Sequence, residues 1–533
     1  MLVILVFFTR TPKAVFGVHC GAGMEFIFVL LFLVGAADLC APLDLSSIKR
    51  RTALVVGGGP VGLASALVLE KEGWQDIVVL ERRGEQSFDP AKGYLYLIDG
   101  RGRRMCEELS IMSEVAKHGV SSHSFTTLNE VLVDGTCKVK QLPTLMIAGP
   151  PKFWVPRSAL LDALIAVVKT RPKIRLLSDA TVDSLTEESS EIKVTVSTGQ
   201  TFSSPALVVG CDGYKSTVRE WLAEKDAGFR LASLPSASAG LKFKIIVPEH
   251  KFPLPKSRQK SDPRQGYAIR GTGKTRTTRL SLGLLPVTEN APRTANIIAQ
   301  PDHEVWKLKT AAAATAFLEA TFPQLSPLTD YFSKEEVARF ASSEPGIFPA
   351  PSYCSKVTTT MCSTHVVLCG DALHSFPPDL GQGVNSGLQD VSALSQALSK
   401  MSESAADGNA ALTEALREYE EQRVPEAKAL CELMVFGFPY QYRQSPIGSF
   451  LAAINFALRL GLNKLVPFVF HPPAFFMVQR DNPPMAYRDI VILAHRTTRA
   501  LWKSALVLAA LFIKRRSIAS AVKAVAPHLF FFL

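Results

Sequence analysis

The stretch Ala53-Leu54-Val55-Val56-Gly57-Gly58-Gly59-Pro60-Val61-Gly62-Leu63-Ala64-Ser65-Ala66-Leu67-Val68-Leu69 decides the fold. A short apolar run of strand type leads into Gly57-x-Gly59-x-x-Gly62 and then into a strong helix former. Gly57 permits the tight turn, Gly59 lets backbone approach a pyrophosphate, and Gly62 lets helix and strand pack closely. Pro60 and Val61 complete the turn and join the candidate site. Phosphates are expected on the helix N-terminus, where unpaired amides and the helix dipole favour negative charge. A second apolar run, Ile77-Val78-Val79-Leu80, ends on Glu81, 24 residues after Gly57, with Arg82 beside it. A carboxylate there accepts hydrogen bonds from an unmodified ribose and repels a 2′-phosphate, so the bound dinucleotide is expected to be FAD or NAD rather than NADP.

Two further stretches extend the pattern. Leu207-Val208-Val209-Gly210-Cys211-Asp212-Gly213 is a strand ending in Asp-Gly, followed by Ser216 and Arg219. Val366-Val367-Leu368-Cys369-Gly370-Asp371 is another strand ending in a carboxylate, and it reaches Pro378-Asp379-Leu380-Gly381-Gln382-Gly383-Val384-Asn385, with Asp390 beyond. Asp371 can accept from a ribityl hydroxyl. The glycine loop Gly381 to Asn385 opens a helix whose amides would face the edge of a flavin where charge accumulates on reduction.

In this order the motifs resemble the Asp-Gly motif, the Gly-Asp motif and the flavin loop of the group A FAD-dependent aromatic monooxygenases. Arg101-Gly102, Val155-Pro156-Arg157 with Leu160, and Tyr419 with Arg423-Val424-Pro425 match further family positions. The resemblance covers roughly residues 52 to 435 and is strongest to kynurenine 3-monooxygenase-like proteins. It implies a Rossmann-like FAD-binding domain with an inserted, mostly antiparallel substrate sheet and a helical C-terminal region. It places Arg157 beside the cofactor and His374 in a structural role beside the flavin loop. It also implies FAD, with NADPH or NADH and O2 as co-substrates, and oxygen transfer through a flavin C4a-hydroperoxide to an aromatic or other electron-rich small molecule.

The departures are informative. The kynurenine-binding arginine falls on Lys92, the asparagine between tyrosines falls in Phe436-Gly437-Phe438, and a further tyrosine falls on Val469. Losing a bidentate arginine and two hydrogen-bonding groups points to a less polar substrate, with Lys92 as the candidate substrate contact. No catalytic side chain and no metal site is assigned: there is no Ser/His/Asp constellation and no His-Glu-x-x-His. Epoxidation or reduction of a lipid or isoprenoid, and a flavin-binding scaffold without turnover, are the alternative readings.

Composition agrees with a large globular chain. Of 533 residues 47% are hydrophobic and 20% charged, which excludes wholesale disorder, a collagen and a coiled coil. The nine cysteines are scattered and never spaced Cys-x-x-Cys, so they read as small buried hydrophobes. The net charge of +11 is concentrated in Lys251–Gly283 and Arg488–Leu533 rather than spread along one face, so no nucleic-acid partner is expected. The expected layout is a targeting segment at 1–47, the FAD domain with its interleaved substrate domain at 48–435, and an apolar helical region at 436–533. Sheet parts are expected at about 120–155 and 225–345, with Lys251 to Arg279 an exposed insertion. Apolar Phe26–Val34 before small residues reads as a signal-peptide core. Ala500–Ile513, basic and apolar, reads as an interfacial helix on a membrane surface, with a buried core helix as the alternative. The expected compartment is the endoplasmic reticulum, a plastid or the mitochondrial outer membrane. Oligomeric state is left open.

Overall fold

Ala53–Val56 lies inside a six-stranded sheet ordered Thr358–Met361, Thr364–Leu368, Leu207–Gly210, Ala53–Val56, Ile77–Leu80 and Ile174–Leu177. All but the first of these run parallel. Every residue of the four strands from Thr364–Leu368 to Ile77–Leu80 is buried. Covered on both faces, these strands appear as near-continuous apolar runs rather than alternating ones, Thr364 and His365 being the polar exceptions. Each buried Val or Leu contributes roughly 1.5–3 kcal/mol of transfer free energy. Val56 pairs with both Gly210 and Leu80, and Gly210 pairs with Leu368, so four strands end level at one edge. Ligands of open parallel sheets bind outside that C-terminal edge. The computed structural model describes residues 45–84, 93–122, 128–140, 151–401, 407–442, 444–480 and 483–529, with side chains through 511 in the last helix.

A second core lies under a seven-stranded sheet ordered Gly346–Ile347, Lys242–Ile246, Ala295–Ala299, Ser281–Leu284, Gly266–Arg270, Leu128–Val131 and Cys137–Lys140. It is antiparallel except where Gly266–Arg270 meets Leu128–Val131. Two details depart from the sequence expectation. Lys152–Pro156 pairs with Val120–Ser122 on one side and Leu95–Ile98 on the other in a separate three-stranded sheet, since Lys152–Pro156 runs directly into the Arg157–Lys169 helix of the FAD unit. The basic segment Lys251 to Arg279 is not simply an exposed insertion: Gly266–Arg270 within it is a buried inner strand. Within this basic segment lies the uncharged stretch Gly266-Tyr267-Ala268-Ile269. Arg293, 1% exposed, fastens the preceding loop by donating to His250 O and Ser261 Oγ, both at 2.9 Å, while stacking over Phe252 and Tyr267.

The Leu45–Arg50 helix already belongs to the fold, because Ile48 is fully buried, so the last residues of the expected targeting segment are structural. Residues 1–44 lie outside the described residues. At the other end, the Pro446–Leu465 helix buries no residue, and Tyr487–Leu529 is one helix of 43 residues, about 65 Å long. Arg459 joins the two, donating to Ala494 O and Thr498 Oγ1. The apolar stretch beginning at Ala500 is thus part of a longer helix, and 502–511 is exposed rather than a buried core helix. Among the described residues, no helix is long and apolar enough to cross a membrane.

Candidate functional site

At the C-terminal edge, Gly57 adopts φ +108°, and a Cβ there would lie 2.4 Å from Cys211 O. A Cβ on Gly62 would lie 1.8 Å from Gly57 O, so both positions require glycine for close packing. At Gly59 the reverse holds: a Cβ would meet nothing within 4 Å, leaving open space in front of the turn. Pro60 starts the helix, which has no side-chain cap, so its first-turn amides at Val61 and Gly62 have no partner within the helix. Glu81 accepts from the Gly58 amide at 2.7 Å and from the Arg83 amide at 3.0 Å, which fixes its carboxylate beside the glycine turn. Arg82 is exposed next to it.

Asp212 is tied to its own loop, accepting from Ser216 Oγ at 2.5 Å and from the Val218 amide at 3.3 Å; burial pushes its carboxyl up, opposed by those bonds. Arg219, part of the sequence motif but not among the expected cofactor contacts, connects the second and third motifs. It donates to Ala372 O at 3.2 Å, Asp371 O at 3.5 Å and Tyr214 O at 2.5 Å. Asp371 is exposed to solvent, yet enclosed by enough protein to push its carboxyl upward, with Asp390 adding to the shift and His374 and Arg219 opposing it. Arg157 lies 5.9 Å over the Tyr94 ring; burial opposes its charge, and Tyr96 and Tyr94 more than offset that.

The third motif is held from behind. Gly381 is left-handed at φ +63°, and a Cβ on Gly381 or Gly383 would meet nothing within 4 Å. Pro378 is exposed at the start of the loop, and Val384 is buried. The side chains of Gln382 and Asn385 are taken up by the protein itself. Gln382 donates to Asp99 Oδ2 at 3.0 Å and accepts from Tyr487 Oη at 2.7 Å. Asn385 donates to Leu97 O at 2.7 Å and accepts from the Asp99 amide at 3.1 Å. What this loop offers a ligand is therefore backbone: first-turn amides of a 17-residue helix without a side-chain cap. Below it, Asp390 accepts from His374 Nε2 at 2.9 Å, Arg423 Nε at 2.7 Å and the Gly370 amide at 2.9 Å. Burial would raise the Asp390 carboxyl, but His374 and Arg423 hold it below its ordinary value.

These features fit FAD: two glycine-walled openings with donor amides, and carboxylates at two strand ends. The chemistry would belong to the bound flavin, and the residues present would bind, orient and shield it. Lys92 lies outside the described residues. Phe438 stacks on Phe475 at 4.6 Å, so the place of the family's asparagine is an aromatic cluster. Among the described residues, no group of His, Cys, Asp or Glu could hold a metal ion, and all seven cysteines are free.

The model of the FAD binding domain family matches residues 50–307 and 343–433. The chain is 25% identical over 471 residues to a kynurenine 3-monooxygenase of Salinispora arenicola, covering 85% of this chain and 92% of the relative. It is 25% identical over 409 residues to the FAD-dependent monooxygenase cdmI of Talaromyces verruculosus, covering 74% and 80%. In fold it is similar to a crystallised variant of 2-methyl-3-hydroxypyridine-5-carboxylic acid oxygenase, with TM-score 0.52, 21% identity, and coverage of 72% of this chain and 90% of that one.

Proposed function

The chain belongs to the FAD binding domain family, and from that premise we propose that it is an FAD-dependent monooxygenase, using NAD(P)H and O2 to hydroxylate an aromatic or other electron-rich small molecule. One observation carries the cofactor assignment: Gly57–Gly62, Asp212–Arg219 and Asp371–Asn385, far apart in sequence, meet at one sheet edge, where Gly57 packs on Cys211 O and Arg219 joins the second motif to the third. Monooxygenase relatives matched over most of both chains supply the reaction class. The aromatic cluster at Phe438 supports a substrate less polar than kynurenine.

The C-terminal region is proposed to rest on a membrane surface. Ile447, Phe450, Leu451, Ile454, Leu458 and Leu465 recur at helical spacing on one face of Pro446–Leu465 and are 47–77% exposed. An organellar membrane is the proposed location. The same surface favours, as a second reading, a lipid or isoprenoid substrate that is epoxidised or reduced.

The test uses the purified chain with FAD in mild detergent. NADPH and oxygen consumption are followed with anthranilate-like, phenolic and isoprenoid compounds, and 18O2 incorporation is read by mass spectrometry. Consumption stimulated by one class, with one labelled oxygen in that compound, is the expected result. Bound FAD with no stimulation by any class would leave a scaffold.

A further inference from the structure

Between Pro378 and Leu380 the flavin loop carries a carboxylate, Asp379, only 5% exposed. Three elements converge on it. From the loop itself comes the aspartate. From the turn before the Lys242–Ile246 strand of the substrate sheet comes Ser238, whose Oγ accepts from Gln444 Nε2 at 3.0 Å, which leaves its own proton to donate to Asp379. From the segment after the Gly408–Phe436 helix come Gln441, donating to Asp379 Oδ1 at 2.9 Å, and Tyr442, whose ring lies 5.7 Å from Phe348. Asp379 is thus at the junction of flavin loop, substrate sheet and C-terminal region, beside aromatic rings. Its named hydrogen-bond donors are neutral, and among the described residues Tyr442 is a titratable group facing it.

We infer that Asp379 is the substrate-recognition carboxylate of this site, accepting a hydrogen bond from a hydroxyl or amino group on the aromatic substrate and, as oxygen is transferred, the proton that the substrate releases. This rests on the monooxygenase reading above. Gln441 and Ser238 occupy part of a carboxylate's capacity of about four acceptor sites, which leaves room for a ligand donor. For a phenol, the O–H bond breaks as oxygen adds to the ring, the proton passes to a carboxylate oxygen and the bond's electron pair goes to the ring through the heteroatom; an arylamine supplies its lone pair with the N–H bonds intact and gives up a proton only after oxygen has added and the nitrogen is cationic. The proton leaves to solvent with product release, and no electrons are exchanged with the protein. Burial, opposed by the two hydrogen bonds, pushes Asp379 up to about 6, so it takes and gives a proton near neutral pH. A phenol or arylamine is the substrate class this selects, against a plain hydrocarbon ring.

The experiment separates binding from turnover. The FAD-loaded full chain and D379N are titrated with 4-ethylphenol, 4-ethylaniline, 4-ethylanisole and ethylbenzene from pH 5 to 8, following perturbation of the flavin spectrum. The expected result is that the phenol and amine bind wild type about tenfold or more tighter than the ether and hydrocarbon at pH 7.5, as hydrogen bonds to a charged acceptor give. That preference shrinks toward pH 5, and D379N lacks it while keeping FAD. Equal preference in D379N, no preference in wild type, or no perturbation by any of the four overturns the inference. The wild-type pH series and the ether comparison stand even if D379N fails to fold. NADPH oxidation is read in parallel: donor preference without oxidation supports Asp379 while refuting the monooxygenase, and oxidation without donor preference does the opposite.

Discussion

At the residue scale, the glycines divide into those that must be empty for the protein and those that are empty for a ligand. A Cβ on Gly102 would lie 2.4 Å from Asn385 Oδ1, the atom that receives the Asp99 amide. Gly102→Ala is therefore expected to cost roughly 1–3 kcal/mol and to lower the FAD-to-protein ratio, measured by thermal melting and flavin absorbance. Asp379 makes an opposite prediction. Its folded-state value of about 6 lies above the ordinary 3.8, so the native state holds the proton more tightly, and stability falls as pH rises from about 4 through about 6. Above that window the buried charge costs at most about 3 kcal/mol. Asp379→Asn should raise the melting temperature at pH 8 and change it little at pH 4.5. A residue that costs stability in a site is a functional candidate, and the sequence carries the signal as an aspartate inside the glycine-loop motif.

At the element scale, Asp390 fixes the Gly383–Ser399 helix, whose N-terminus is proposed to face the cofactor. Its carboxylate joins this helix to His374, to Gly370 and to Arg423 on the Gly408–Phe436 helix. Removing one partner leaves an uncompensated buried charge, so Arg423→Met is expected to lose about 3–5 kcal/mol, read as a lower urea midpoint, and to release FAD at lower denaturant than wild type. The Tyr-x-x-x-Arg-x-Pro match picks out Arg423, and the resemblance gives His374 a structural role. That their common partner is Asp390 could not be read from spacing, because the three groups come from separate elements. The same limit applies to Gln382 and Asn385: loop membership was legible, but not that Asp99, Leu97 and Tyr487 would occupy their side chains.

At the scale of the whole molecule, the C-terminal region does two things at once. Arg101 donates to Val478 O at 2.9 Å and Met485 O at 2.7 Å and stacks 4.6 Å over Tyr487, whose hydroxyl reaches Gln382, so the region braces the flavin loop. Its outer face remains apolar and exposed. Replacing Phe450 and Leu458 together with Ser should abolish co-sedimentation with anionic vesicles while FAD content stays at the wild-type level; retention on vesicles would refute the proposed membrane contact. What the sequence by itself determined is the parallel sheet, its obligatory glycine turns and the order of its three motifs, because apolar strands, glycines and strand-end carboxylates are local requirements of the backbone. Which strands form the substrate sheet, how Arg219 and Asp390 link distant loops, and why Asp379 is enclosed were decided only by tertiary structure. Those properties depend on neighbours from other elements, and burial of a charge is set by everything packed around it.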